Sequence, residues 1–259
     1  MELSGKHVVV TGASGGIGSA LARAIDAQGA RLVLSDLDGA DAVSAGLPGS
    51  VSIAADISNE AGTIDLITAA ESSFGPIDLY FANAGVGVGT DPMDAEELWD
   101  VSFNVNVHAH RWAARQLLPG WLERGEGYFC STASAAGLLA QIGAAPYSVT
   151  KHAAVAFAEW LDITYAGRGL KVSCLCPQGV NTNMIKQGDQ LGGGGNVVRQ
   201  VAAILEPDDV ADTVVEAIRD ERFLILPHPE VADYMALRGS DHARWLGGMR
   251  KLQRRVLGY

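Results

Sequence analysis

The chain has 259 residues, 48% of them hydrophobic, and a formal net charge of −11. That length and apolar content suit one large α/β domain with a sizeable core. The acidic balance argues against nucleic acid as a partner, and no apolar run approaches the roughly 18 residues a membrane span needs. Cys130, Cys174 and Cys176 sit in apolar, strand-like runs without metal-ligand spacing. They read as reduced core thiols, with no metal site and a cytoplasmic location. An apolar run begins at His7, which leaves no room for a signal peptide. The charge is uneven, because residues 228–259 carry six Lys/Arg against three Asp/Glu. This tail is expected to be helical and to pack on its own body or on a neighbouring subunit, leaving residues 1–227 as the main domain.

Residues 7–11 have the unbroken apolar pattern of a buried parallel strand. They lead into Thr11-Gly12-Ala13-Ser14-Gly15-Gly16-Ile17-Gly18 and a helical pattern over 20–27. A strand, a glycine turn and a helix N-terminus make an anion site, since bare N–H groups and the helix dipole face a phosphate. Gly12, Ser14, Gly16, Ile17 and Gly18 are therefore candidate cofactor-binding residues. Their spacing, Gly-x3-Gly-x-Gly, differs from the common G-x-G-x-x-G fingerprint.

A second predicted strand, 31–35, ends at Asp36. A carboxylate there can bind both ribose hydroxyls of an adenosine and would repel a 2′-phosphate. No Lys or Arg lies in the glycine turn or directly after Asp36, so NAD is expected over NADP. The third strand, 51–55, ends in Asp56-Ile57, placed to touch an adenine edge. Asp56 could equally start the next helix, since Ser58 and Asn59 follow. The fourth strand, 78–82, runs into Asn83-Ala84-Gly85-Val86-Gly87, small residues that let a cofactor approach the backbone. A long helix is predicted over 94–118 with Asn106 in its middle. An interior Asn there needs a surface position or a polar task.

The fifth strand, 127–133, delivers Ser134, and a helix over 146–166 carries Tyr147 and Lys151. A Tyr and a Lys four residues apart share one helix face. An ammonium beside a phenol stabilises the phenolate and is expected to lower its pKa from about 10. The Ser134 hydroxyl could bind the oxygen that the phenol protonates. The sixth strand, 170–176, is closed by Pro177-Gln178-Gly179-Val180-Asn181-Thr182. Residues 183–205 read as a flexible flap, because the run from Gly192 to Gly195 cannot be regular structure cheaply. A helix over 207–220, a strand over 223–226 and the tail complete the chain. The β-α alternation predicts a doubly wound parallel sheet with helices on both faces and ligands at the strands' carboxyl ends.

Taken together, Thr11-Gly12-x-x-x-Gly16-x-Gly18, Asn83-Ala84-Gly85, Asn106, Ser134 and Tyr147-x-x-x-Lys151 resemble the short-chain dehydrogenase/reductase (SDR) family. The resemblance covers the chain to about residue 227. It implies a single-domain Rossmann-like fold and NAD(P)-dependent oxidoreduction of an alcohol/carbonyl pair in a homodimer or homotetramer. It makes Tyr147 the acid/base, lets Ser134 position the substrate oxygen, and places Lys151 on the nicotinamide ribose, where it lowers the Tyr147 pKa. Asn106 would hold a water that relays protons through Lys151. Pro177, Gly179, Val180 and Thr182 join the cofactor set, the last two at the carboxamide. The chain departs from the family at Ala82, where an Asn is usual, and at Gln178, where a Gly is usual.

Candidate pocket residues are Val86, Leu138, Leu139, Gln141, Ile142, Gln178, Met184 and Ile185, with Tyr234, Met235 or Trp245 as a wall from the tail or as subunit contacts. No Lys or Arg stands in the nearer set, so a hydrophobic secondary alcohol or its ketone is expected rather than a small polyol or hydroxy acid. Trp112, Trp121, Phe157 and Trp160 exceed the apolar needs of a sheet face and suggest self-association. A dinucleotide sensor without turnover, and an SDR acting on a polar sugar or hydroxy acid, are the alternative readings.

Overall fold

A computed structural model describes residues 1–190 and 194–258. Its main sheet holds β1 (His7–Thr11), β2 (Arg31–Asp36), β3 (Ser50–Ala54), β4 (Leu79–Ala82), β5 (Gly127–Thr132) and β6 (Leu170–Leu175). Two short strands, β7 (Gly179–Val180) and β8 (Ile204–Leu205), pair with each other, and β9 (Leu224–Ile225) is the seventh strand of the main sheet. The order is β3-β2-β1-β4-β5-β6-β9 with every pairing parallel. The predicted doubly wound sheet is present. The strand order reverses direction between β1 and β4, which opens a crevice at their carboxyl ends.

The apolar runs are unbroken because both sheet faces are covered. Successive side chains alternate, so Val9, Val33, Tyr80 and Phe129 face one core. That core is closed by α3 (Glu60–Phe74), α5 (Ala109–Arg124) and α7 (Ala145–Tyr165). Val8, Val10, Leu34, Leu79 and Phe81 face the other, closed by α1 (Gly16–Asp26), the short α2 (Ala40–Ser44) and α10 (Pro207–Arg219).

Three expectations are corrected. The helix over 94–118 is two α-helices, α4 (Glu96–Phe103) and α5, joined by a π-helical turn at Asn104–His108. An aromatic ladder runs along it: Trp99 to Phe103, Phe103 to His108 and His108 to Trp112, with ring centroids 6.5, 6.3 and 5.6 Å apart. Trp121 is no surface residue, since it is buried and its Nε1 donates to the Ile77 carbonyl at 2.7 Å. Finally, the described part of the flap is helical, as α8 (Asn183–Gln190) and α9 (Gly194–Val201). Gly194 and Gly195 open α9, and Val197 on the same helix is buried. Gly192 and Gly193 lie outside the described residues.

The described elements are completed by the small α6 (Ala136–Leu139), a 3-10 turn at Ala166–Arg168 after α7, and the two helices of the tail, α11 (Glu230–Ser240) and α12 (His242–Leu257). The tail packs on its own body through α11. Val231 is fully buried, Met235 packs against the same core, and Arg238 donates to the Leu138 carbonyl. No residue of α12 is fully buried. Among the described residues no helix is long and apolar enough to cross a membrane.

Candidate active site

The turn after β1 is tight enough to exclude side chains. Gly12 has φ +66°, and a Cβ there would lie 2.7 Å from Ala84 Cα on the loop after β4. A Cβ on Gly18 would overlap the Gly12 carbonyl. These two glycines let the loop after β4 and the first turn of α1 close on the turn. Gly15 caps α1 without a side-chain hydrogen bond, and the first turn carries no acid. The helix therefore offers its N–H groups and dipole outward, as a phosphate requires. Thr182 lies over the same turn, since a methyl on Gly16 would meet its Cγ2 at 2.7 Å.

Asp36 at the end of β2 is tied to this turn. Its Oδ2 accepts from Ser14 N at 3.0 Å and Ser14 Oγ at 2.6 Å, while Leu37 N donates to Oδ1 at 2.8 Å. No Lys or Arg occurs between Arg31 and Arg111, so the adenosine end of the crevice is acidic. Asp56 is exposed and committed to a local turn, accepting from Ser58 N at 2.9 Å and Asn59 Nδ2 at 3.2 Å. The Ser58 hydroxyl foremost, with the Ser58 N–H and the Asn59 amide, holds its carboxyl below the ordinary range. Asn59, one of the residues that made a helix start plausible, is the N-cap of α3. Ile57 is half-buried beside it.

Asn83 acts as a clasp across three strands. Its Nδ2 donates to the Thr11 carbonyl at 2.9 Å, and its Oδ1 accepts from Thr132 Oγ1 at 3.2 Å. Thr11 Oγ1 accepts from the Asn83 and Ala84 backbone N–H groups at 3.0 and 3.1 Å. Thr11 opened the glycine motif but was given no role from the sequence, and Thr132 was not singled out at all. Both look like ordinary strand threonines until the strands are brought together.

Asn106 is fully buried on the π-helical turn, so its task is polar. It clamps Val86 on both sides, accepting from Val86 N and donating to Val86 O, each at 2.9 Å. Its Nδ2 also reaches Thr150 Oγ1 at 3.0 Å. A methyl on Gly85 would meet both Asn106 Oδ1, at 3.2 Å, and Lys151 Nζ, at 3.1 Å. Asn106 and Lys151 therefore converge on the loop after β4.

Lys151 is 2% exposed, and its Nζ donates to the Thr132 carbonyl at 2.9 Å and sits 5.6 Å from the Tyr147 ring centre. Burial pushes the ammonium down to about 8. Burial also pushes the Tyr147 phenol above its ordinary value, against the Ser134 hydroxyl, which pulls it down. The expected lowering by Lys151 is thus absent, because desolvation dominates both groups. Besides its bond to the Tyr147 phenol, Ser134 Oγ accepts from Ala136 N at 3.1 Å and donates over a long 3.4 Å to the Pro177 carbonyl.

Beyond Ser134 lies a cavity of about 790 Å³. Ala135, Ala136, Leu139, Gln141, Ile142 and Gln178 line its inner side, and Tyr234 and Trp245 form part of its outer wall. Gln178 replaces the expected glycine without disorder, since its N–H donates to His228 Nδ1 at 3.1 Å and its Oε1 is buried without a partner. Four of the nearer predicted pocket residues, and Met235 of the tail, are absent from this lining. Leu138 is buried in the core, and Val86 is held by Asn106. Ile185 is half-buried on α8. Met184 packs instead near Gly87 and Tyr147, where a methyl on Gly87 would meet Met184 Sδ at 3.6 Å and Tyr147 Cδ2 at 3.7 Å. Conversely, Arg244, Lys251 and Arg255 of α12 stand on the rim. The expectation of a pocket without basic residues is corrected. Its error was to gather the pocket around the motifs, far along the chain from α12.

The short-chain dehydrogenase family model matches residues 6–190. The 1-deoxy-11-beta-hydroxypentalenate dehydrogenase of Streptomyces exfoliatus is 34% identical over 89% of this chain and 86% of its own. The chain belongs to the short-chain dehydrogenase family. The meso-2,3-butanediol dehydrogenase of Serratia marcescens is 29% identical over 96% of this dehydrogenase and 92% of its own length. A short-chain dehydrogenase from Burkholderia phymatum, solved in complex with NAD, superposes with a TM-score of 0.84 at 32% identity, covering 93% of this dehydrogenase and 95% of that chain. Among the described residues of the dehydrogenase no group of His, Cys, Asp or Glu could hold a metal ion. Its three cysteines are buried and free.

Proposed function

We propose that this oxidoreductase interconverts a hydrophobic secondary alcohol and its ketone with NAD. The observation that carries the reading is the meeting of Tyr147 with Ser134 and Lys151, next to a large cavity that begins at Ala135 and Ala136 and whose inner wall is mostly apolar. The crevice fits a dinucleotide: side chains are excluded at Gly12 and Gly18, and α1 is uncapped. Gly12, Ser14, Gly16, Ile17 and Gly18 would hold the phosphates, and Asp36, Asp56 and Ile57 the adenosine. Asn83, Ala84, Gly85, Pro177, Gly179, Val180 and Thr182 would line the rest. Such a cofactor supplies the hydride acceptor or donor.

The chain's own residues supply position and protons. Ser134, with one lone pair fixed by Ala136 N, turns its hydroxyl to the substrate oxygen. Tyr147 gives a proton to that oxygen in reduction and takes it in oxidation. With its pKa raised by burial, the phenol is protonated at neutral pH, the state that reduction needs. Lys151, held at about 8, exchanges protons close to neutrality. Asn106 fixes the Val86 backbone, next to Gly85, beside which the Lys151 ammonium lies.

One relative is named for a hydroxypentalenate and another for a small diol. Relatives therefore span both substrate sizes, and the cavity favours the bulky class. A kcat/KM series over secondary alcohols of rising apolar size tests this reading, with efficiency expected to climb with each added ring. Efficiency that falls with size would defeat it. Cofactor choice is tested separately. The parent is expected to prefer NAD, and Asp36→Ala to narrow the gap by roughly tenfold, the scale of a charge-assisted hydrogen bond. A clear NADP preference in the parent would refute the role of Asp36.

Self-association is part of the same proposal. Val149, Ala156, Trp160 and Ile163 line the outer side of α7, with Trp160 53% and Ile163 83% exposed. A stripe of this kind is the anatomy of a subunit contact. A homodimer or homotetramer is expected in sedimentation at micromolar concentration, and Trp160→Glu with Ile163→Glu should shift it toward monomer. A monomeric parent would contradict this.

A further inference from the structure

We infer that the cavity selects an amphipathic anion: an apolar body with the alcohol or ketone at one end and a carboxylate at the other, the carboxylate drawn to the basic stripe of Arg244, Lys251 and Arg255. This rests on the alcohol/ketone reading above and adds a substrate class to it. The cavity starts beside Ser134, at Ala135 and Ala136, and its far side is formed by α12. Arg244, Gly248, Lys251 and Arg255 fall at i, i+4, i+7 and i+11, on one helix face. Trp245, Met249 and Leu252 form the adjoining stripe, and both stripes line the cavity. The basic stripe runs roughly 16 Å along the helix axis at about 1.5 Å per residue. A basic rail thus lies alongside an apolar one, with Gly248 leaving space between its charges.

Charge makes the assignment specific. Among the described residues lining the cavity there is no Asp or Glu, although the whole chain carries 30 of them. Among the described residues none of Arg244, Lys251 and Arg255 forms an ion pair, whereas Lys6, Arg23, Arg115, Lys171, Arg219 and Arg222 all do. α12 itself contains no acid. Three like charges along one wall, with no acid among the described lining residues, set up a positive potential that favours an anion. The apolar stripe beside them would bury a ring system or chain, and the Gln178 amide, with its Oε1 unpartnered, adds a polar contact at the inner end.

The test uses lithocholate and its methyl ester, which share one secondary alcohol and an apolar ring body and differ in the charge at the far end. Calorimetry on the full chain saturated with NADH, at low salt, is expected to show the acid binding at least about tenfold more tightly than the ester, the scale of charge-assisted contacts at a partly exposed site. That preference should shrink near 1 M salt, where the Debye length is about 3 Å. The triple variant Arg244→Gln, Lys251→Gln, Arg255→Gln should bring the two ligands within about twofold while leaving the ester's affinity unchanged. Arg244→Lys with Arg255→Lys should retain the preference. All three positions are exposed on the last helix, so the variants are expected to fold. Equal binding of acid and ester, binding of neither, or a preference that survives the triple variant would overturn the inference. So would sedimentation with phosphatidylserine vesicles that depends on the three cations without discrimination between acid and ester, since it would assign the stripe to a lipid surface. Binding is read without turnover, so failure here is distinct from failure of the alcohol/ketone reading, which appears as no oxidation of any secondary alcohol.

Discussion

Replacing Tyr147 with Phe is expected to lower kcat by roughly 10³-fold, inside the 10²–10⁴ range of general acid–base catalysis. Cofactor affinity should stay within about twofold. The ring near Gly87 and Met184, and the ammonium 5.6 Å from its centre, do not need the hydroxyl. The pH profile should change with it. The Tyr147 phenol lies above its ordinary value. In the parent, oxidation should therefore accelerate up to pH 10 as the small phenolate fraction grows, while reduction, which needs the phenol, should stay flat over the same range. Steady-state rates in both directions from pH 6 to 10 check this. A Phe variant that keeps a tenth of the parent rate, or the same pH profile, would move the acid/base role to another group.

The second large effect is on stability and concerns Lys151. Its ammonium is nearly fully buried and falls from 10.5 to about 8. Below pH 8 folded and unfolded chains both hold the proton, and the burial penalty is present in full. Between pH 8 and 10.5 the unfolded chain keeps a proton that the folded chain has shed, so the parent gains stability as pH rises. At about 1.36 kcal/mol per unit, the gain is roughly 3 kcal/mol. Lys151→Met has no such titration. Urea unfolding of both proteins from pH 7 to 10.5 should show the parent gaining that amount relative to the variant. At pH 7 the variant should lose turnover by roughly 10²-fold or more. Parallel stability curves would show that Lys151 is not desolvated as the fold requires. The contrast is one of stability yielded for activity at a functional site.

How much of this was legible depended on how local the cause was. The strands that deliver Asp36, Asn83 and Ser134 could be read because a strand buried on both faces leaves an unbroken apolar run, as at Val8 to Val10. Tyr147 and Lys151 were legible because helical spacing puts them on one face. Other features depend on long-range packing. Trp121 looked like a surface residue because nothing nearby in sequence announces Ile77 as its partner. The direction of the Tyr147 pKa was misjudged because a charge is visible in a sequence and desolvation is not. The cavity was misdrawn because Leu138 and Val86 neighbour the motifs in sequence, while Arg244, Lys251 and Arg255 reach the cavity only through the fold. Asn106 was flagged as needing a reason, but its clamp on Val86 belongs to a turn that periodicity does not encode.

That π-helical turn acts as a phase shifter. The aromatic ladder advances by four residues, then five, then four, from Trp99 through Phe103 and His108 to Trp112. In an uninterrupted α-helix each residue turns the chain by about 100°, so a five-residue step would throw His108 about 140° off its rung. The wider turn absorbs the extra residue and keeps the rings on one rib while Asn106 points the other way, at Val86. Outer and inner faces of this helix pair are therefore set by a single count. Removing one residue from 104–108 would leave either the aromatic rib continuous or Asn106 on Val86, never both.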